Sequence, residues 1–475
     1  MPNTPSSAVI LLPKGKKNLV QFGAICLTIS IACYGLALST LITPILERVN
    51  AMGYVSLLSV VSALGITIMT PIGGKLGDIF GRRQVIVIAG IACILFGFGV
   101  AYAPNLVILI VCRFGLSIAQ GAFMAAPYII VGLINDKKDV PKAMGFLAMA
   151  LSVGGFVGSI IAGFLSDLDM LEAAILFPAI PLLIGVALIG LFYPNDKNAG
   201  DAKIDMVGIL YLVIALCGIL LPLSYGSSMG WMNPVILGGF GAGIVFAILL
   251  YRYEQRVEEP VIPVHMLKNR TYLAFVLVGF FCFFYRCAMD VYTPIAALNV
   301  MGTSLTTAGS LQFPRAVVTM ILPVFAGAWV GKKSGNMWKA MAIASALAAI
   351  PMFLMGLTRE TTPVILYFVL FAITGIAESF RGVSVTPAAQ ACLKTEEIGV
   401  GTALVNFANS LSSSIAVAVY GVVYNKFTAA DPANTENIKN GVNAVFWTAG
   451  IVSMIGLALV VFWVRPLLEK QGENT

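Results

Sequence analysis

Gly73-Gly74-Lys75-Leu76-Gly77-Asp78-Ile79-Phe80-Gly81-Arg82-Arg83 is the stretch on which the fold turns. It lies between two long apolar runs, roughly 54 to 72 and 85 to 102. It therefore reads as a tight polar hairpin joining two membrane helices on one side of a bilayer. Glycines at 73, 77 and 81 recur every four residues and permit close backbone approach and a sharp turn. Asp78 and the Arg82, Arg83 pair set opposite charges side by side. Basic hairpins between membrane helices often serve only to fix topology, but glycine spacing, an acid and an arginine pair together specify more than that.

Around this hairpin, 59% of the 475 residues are hydrophobic and 11% charged, with a mean hydropathy of +0.93, outside the range of soluble domains. A spanning helix needs about 20 apolar residues. Fourteen runs qualify, centred near 31, 64, 94, 119, 154, 182, 216, 242, 285, 318, 348, 374, 411 and 453. They are continuous, not short and alternating, which excludes a β-barrel and predicts an all-α integral membrane protein. Lys14, Lys16 and Lys17 directly precede the first run, which reads as a retained span and not a cleaved leader. Eight cysteines (26, 33, 93, 112, 217, 282, 287, 392) fall in or beside apolar runs, without the spacing of disulfides or metal ligands. We expect no metal, no cofactor and no enzymatic constellation.

The net charge of +7 is explained by topology and not by nucleic acid. Of 29 Lys and Arg residues, only Arg48, Arg359, Lys426 and Lys439 fall on the side opposite the N-terminus. Arg113, Arg286, Arg315 and Arg381 lie inside apolar runs, and the rest share the N-terminal side. An excess of positive charge marks the cytoplasmic face, so both termini are expected in the cytoplasm and the chain in the cytoplasmic membrane.

The runs are grouped six, two, six. We expect an N-terminal arm at 1–18, a six-helix bundle at 19–193, a linker with an inserted helix pair at 194–270, a second six-helix bundle at 271–464 and a tail at 465–475. After the second span of the second group, Gly327, Gly331 and Gly335 repeat the glycine spacing of 73, 77 and 81. This is an internal repeat.

The first hairpin resembles the loop signature of the major facilitator superfamily, matched at Gly74, Asp78, Gly81, Arg82 and Arg83, with Ile79 where a basic residue is usual. The inserted pair is similar to that of the fourteen-span drug/proton antiporter branch. Gly154, Gly158, Ser159, Ala162 and Gly163 match that branch's fifth-span motif, with Ser159 replacing a proline and Ala162 a glycine. Arg113 matches the basic residue of the fourth span. The acid usual in the first span is absent. The resemblance implies two bundles related by an approximate twofold axis, a solute site between them and alternating access. It also implies that the hairpin gates the cytoplasmic side, Asp78 facing the start of span thirteen near Glu397 to Gly401 and Arg82 or Arg83 meeting Asp136.

Charged side chains at membrane depth cost about 3 kcal/mol or more, so they face watery cavities or one another. Arg286 and Asp290 are spaced i, i+4, and Glu378 and Arg381 i, i+3, so each pair can close on its own helix. Aromatic residues Phe280, Phe281, Phe283, Phe284, Tyr285 and Tyr292 surround the first pair. With Arg113 and Arg315, four arginines face two carboxylates, a surplus that favours an anionic solute. We expect Arg113, Arg286 and Arg381 to bind substrate and Asp290 and Glu378 to carry protons, since the sole histidine, His265, is in a loop. No phosphate-binding loop is present, leaving an ion gradient as energy source. The expectation is a monomeric, proton-coupled carrier in the lipid bilayer for an amphipathic organic anion, steroid-like or an aromatic carboxylate, with import preferred. The alternative is multidrug efflux by drug/proton antiport.

Overall fold

The computed structural model describes residues 12–51, 54–136, 138–194, 205–257, 260, 262, 264–333, 335–394, 397–428, 431 and 434–472. Parts of the expected arm, linker and tail (1–11, 195–204, 473–475) lie outside the described residues, as does Lys137. The helices of spanning length are α1 (Lys14–Thr40), α2 (Val55–Phe80), α3 (Arg82–Ala101), α4 (Leu106–Ile134), α5 (Val140–Asp167), α6 (Leu171–Phe192), α7 (Met206–Met229) and α8 (Pro234–Glu254). They continue with α9 (Arg270–Asn299), α10 (Phe313–Lys332), α11 (Asn336–Met355), α12 (Val364–Ala391), α13 (Ile398–Thr428) and α14 (Thr435–Glu469). Among the described residues, thirteen helices are long and apolar enough to cross a membrane. The 26-residue α2, about 39 Å at 1.5 Å per residue, lies in sequence between the first two of them.

Helices are the only open-chain solution at membrane depth, because every backbone N–H and C=O must be satisfied within the segment. Their starts are written in the loops. Asn105, Asp205, Asn233, Asn269 and Asn434 accept hydrogen bonds from backbone N–H groups in the first turns of α4, α7, α8, α9 and α14. Gly81, at φ +90°, forms the one-residue corner between α2 and α3, a conformation that costs other residues strain.

Residues of α1 to α6 share one buried core, containing Leu27, Tyr34, Ile86, Leu116, Phe123 and Leu182 among others. Two further cores, around Tyr285 and Phe446 and around Tyr272 and Phe275, are built from α9 and from α11 to α14. The bundles meet along two seams, α5 against α10 and α2 against α13. At the first seam Gly145 fits against the Pro323 carbonyl and Gly327 against the Pro141 carbonyl, leaving no room for a Cβ. At the second, Leu64, Ile68 and Ile72 pack with Phe407 and Leu411 and with Leu212, Leu216 and Leu220 of α7. The inserted pair thus docks on the outside of a seam through α7, with α8 held to it where Gly218 and Gly243 meet backbone to backbone. The small residues of α5 serve packing: Gly154 and Gly158 lie on the backbone of α1 at Ile29 and Cys33, and Ser159 pairs with Thr40 at 2.9 Å.

Candidate functional site

The hairpin lies at the end of the molecule where α1 begins. Gly81 turns the chain so that Arg82, the first residue of α3, reaches back to pair with Asp78 in the last turn of α2. Both are 7% exposed. Gly399, in the first turn of α13, lies against the Asp78 carboxylate and the Arg82 guanidinium, where any Cβ would overlap them. The carboxylate therefore sits at the positive end of the α13 dipole. Gly74 completes the contact, a Cβ there falling 2.7 Å from that of Ala403. Arg82 is thus engaged within its own hairpin. Arg83 is half-buried and has no ion pair among the described residues.

A second bridge at this end joins α4 to α12. Gln390 donates through Nε2 to the Tyr128 carbonyl (3.1 Å) and to Thr402 Oγ1 (3.0 Å).

Deeper in, the charges expected to close as two local pairs form one chain across three helices. Arg381 Nη2 donates to Glu378 Oε1 (2.7 Å), and Arg286 Nη1 donates to the same oxygen (3.3 Å). Arg286 Nε also donates to Asp290 Oδ2 (3.4 Å), and Arg315 Nη2 donates to Asp290 Oδ1 (2.8 Å) and to Gln312 Oε1 (2.7 Å). The Tyr285 hydroxyl donates to Glu378 Oε2 (3.0 Å). Each carboxylate is held by two guanidinium groups, and Arg286 is shared between both. Phe283 lies under two of the cations, 4.6 Å from the Arg381 carbon and 5.7 Å from that of Arg286.

The cluster is half open. The side chains of Arg286 and Asp290 are 32% and 38% exposed, whereas Arg315 and Arg381 are each 12% exposed. Arg381 Nε and Arg315 Nη1 are buried and make no hydrogen bond. Asp290 stands in a π-helical turn, Ala288–Tyr292, within α9. The cause is Pro294, which has no N–H for the Asp290 carbonyl and so breaks the regular ladder there.

Arg113 is not in this chain. It stands half-buried on α4 in the other bundle, with no hydrogen bond or ion pair from its guanidinium among the described residues. Tyr128, also on α4, is within electrostatic reach of Glu378 and Arg381. Of the expected aromatic lining, only Phe283 stacks on the charges, and Tyr285 reaches them through its hydroxyl. Phe284 and Tyr292 pack on Tyr420, and Phe280 on Phe284, tying α9 to α13. Sequence reasoning left Arg315 outside the site, missed Gln312, and placed Tyr285 in the aromatic lining without its hydroxyl contact to Glu378. The signal for Arg315 was its place directly after Pro314 at the head of an apolar run.

Two helical bundles meeting along paired seams, with a half-open charge cluster at membrane depth, define a solute carrier. The chain belongs to the Major Facilitator Superfamily, whose sequence profile matches residues 22–417. It is a multi-pass membrane transporter of small molecules, not an enzyme. It is 25% identical over 415 residues to "Multidrug transporter protein MdtP" of Bacillus subtilis, covering 87% of this chain and 76% of that one. It is 26% identical over 396 residues to a "Probable actinorhodin transporter" of Streptomyces coelicolor, covering 79% and 66%. It spans 53% of an uncharacterized Mycobacterium tuberculosis transporter of this type, Rv1877, at 22% identity over 77% of this chain. The fold is similar to the human organic anion transporter MFSD10 (TM-score 0.66, 15% identity, 94% of this chain and 100% of that one). It is equally similar to the proton:xylose symporter XylE (TM-score 0.67, 14% identity, 95% and 97%).

Proposed function

We propose that this transporter carries an amphipathic organic anion, a steroid-like or aromatic carboxylate, in company with a proton. The observation that supports this most strongly is the shared position of Arg286 between Glu378 and Asp290. When both carboxylates are ionised they occupy the guanidinium. When one takes a proton it gives up its claim, and the solute's carboxylate replaces it on Arg286 and Arg381. Phe283 offers an apolar face at the same place, and Arg113 supplies further positive charge from the opposite bundle.

Proton and anion then bind cooperatively, because each is bound better in the presence of the other. Travelling together, they move inward down a proton gradient, so import is the expected direction. We place the carrier as a monomer in the cytoplasmic membrane with both termini inside, on the distribution of Lys and Arg. The division into bundles at 19–193 and 271–464 around a pair at 194–270 belongs to the same proposal. The hairpin residues Gly74, Asp78, Gly81, Arg82 and Arg83 gate the terminus-bearing side.

Multidrug efflux is the second reading, favoured by the name of the Bacillus subtilis relative. A cationic drug needs a carboxylate free to face it, and here each cluster carboxylate already holds two arginines. The test is flux in proteoliposomes, with organic anions and cations supplied at both polarities of the pH gradient. Asp290→Asn and Glu378→Gln are expected to keep solute-for-solute exchange while losing accumulation driven by the gradient. Arg286→Gln is expected to abolish anion binding. Unchanged anion affinity in Arg286→Gln would overturn the proposal, and cation flux surviving loss of both Arg286 and Arg381 would favour efflux.

A further inference from the structure

On the face opposite the termini, the loop between α11 and α12 and the first turns of α14 line an open cavity of about 440 Å³. Its walls are fixed by hydrogen bonds. Trp447 Nε1 donates to the Gly356 carbonyl (3.0 Å), Asn443 Nδ2 to the Thr358 carbonyl (3.0 Å), and the Arg359 N–H to Thr362 Oγ1 (2.8 Å). Thr358, 2% exposed, is further locked to the Tyr367 hydroxyl.

Arg359 and Lys439 line the cavity, two of the four basic residues on this face of the chain. Lys439 is half-buried and contacts Glu436 (2.5 Å), while the Arg359 guanidinium is exposed and has no partner among the described residues. Acceptors stand beside these donors. Asn443 Oδ1 is buried without a hydrogen-bond partner among the described residues, and Glu360 lines the same cavity. A ligand that satisfies both sets carries an anionic phosphate for the cations and hydroxyl groups for the acceptors.

The surroundings say which kind of molecule supplies that group. Leu357, Leu354 and Trp447 are 60%, 44% and 43% exposed beside the cavity, and Phe353 packs on Trp447 at 5.1 Å. On a membrane-spanning bundle these apolar residues face acyl chains, and an indole at this depth marks the interface with water. The cavity is therefore a polar cup opening at the level of lipid headgroups.

We propose that it binds the phosphoglycerol headgroup of an anionic phospholipid in the leaflet opposite the termini, the acyl chains lying over Leu354 and Trp447. The same phosphate and hydroxyl chemistry could arrive on a soluble phosphate ester, and the experiment separates the two. The full chain, with its other tryptophans replaced by phenylalanine, is placed in phosphatidylethanolamine vesicles containing a small fraction of phosphatidylglycerol brominated on its acyl chains. Quenching of Trp447 should correspond to enrichment of the brominated lipid by roughly thirtyfold over its mole fraction, as two basic side chains near the surface would give. The excess should vanish in Arg359→Gln/Lys439→Gln, persist in Arg359→Lys and resist millimolar glycerol phosphate. Quenching no greater than that by brominated phosphatidylethanolamine, or an excess unchanged in the double variant, overturns the proposal. Displacement by glycerol phosphate overturns the lipid assignment in favour of a soluble ester.

Discussion

Arg286 is the residue on which the cluster turns, because it alone touches both carboxylates. Its neighbour Arg315 touches only one of them, and that difference has a measurable consequence. In Arg315→Gln, Asp290 loses its closest partner, at 2.8 Å, and keeps one guanidinium, that of Arg286 at 3.4 Å, beside the Gln312 amide at 3.4 Å. Arg286 is then held more tightly and is less available to solute. We expect anion affinity to fall by roughly fivefold, about 1 kcal/mol, although Arg315 itself binds no solute in the mechanism proposed. Asp290→Asn in the same protein should restore that affinity. Titration of solute binding in detergent checks both variants, and equal affinity in all three proteins would show that the two arginines act independently.

Between elements, the hairpin from α2 to α3 works through the first turn of α13. Gly399 has no side chain because the Asp78 carboxylate fills the space where its Cβ would be. Asp78→Asn removes the charge that faces the helix dipole, and Gly399→Ala pushes the intact carboxylate away from it. Both are expected to slow transport sharply and to leave solute binding within a few fold, since the change lies in gating and not in the site. Equal loss of binding would mean that the hairpin is needed only for folding. The hairpin was legible in the sequence because its determinants are local: glycine spacing, an acid and two arginines within eleven residues. The position of Gly399 was legible only in part, since the resemblance pointed to the start of span thirteen but not to the glycine that admits the carboxylate.

At the scale of the molecule, the contacts between bundles crowd the terminus-bearing end: Asp78 with Gly399, Gly74 with Ala403, Gln390 with Tyr128 and Gly327 with Pro141. In the mechanism proposed, this arrangement is the carrier closed on that side, with the half-open cluster beyond. Spin labels on the terminus-side ends of α4 and α12 should report a short distance in the resting protein, lengthening in Asp78→Asn and in Gln390→Ala. A distance unchanged in both would remove the hairpin and the Gln390 bridge from the gate. The inserted pair does not interrupt this closure, because α7 docks on the outside of the seam between α2 and α13.

Hydrophobic length, loop charge and glycine spacing are properties of contiguous residues, and from them the sequence alone determined the membrane class, the positions of the spans, the repeated glycine spacing and the place of the charged hairpin. It also singled out Arg286, Asp290, Glu378 and Arg381, because a charge inside an apolar run is conspicuous whatever surrounds it. Which charges meet was decided only by the packing of α9, α10 and α12, whose register no local pattern encodes. The spacings within each helix allowed two closed pairs. The tertiary structure instead shared Arg286 between both acids, brought Arg315 in and left Arg113 alone across the bundle interface. The open cup beside Trp447 has the same origin, since Arg359 and Lys439 are far apart in the chain and come to line one cavity only where α14 packs against the end of α11.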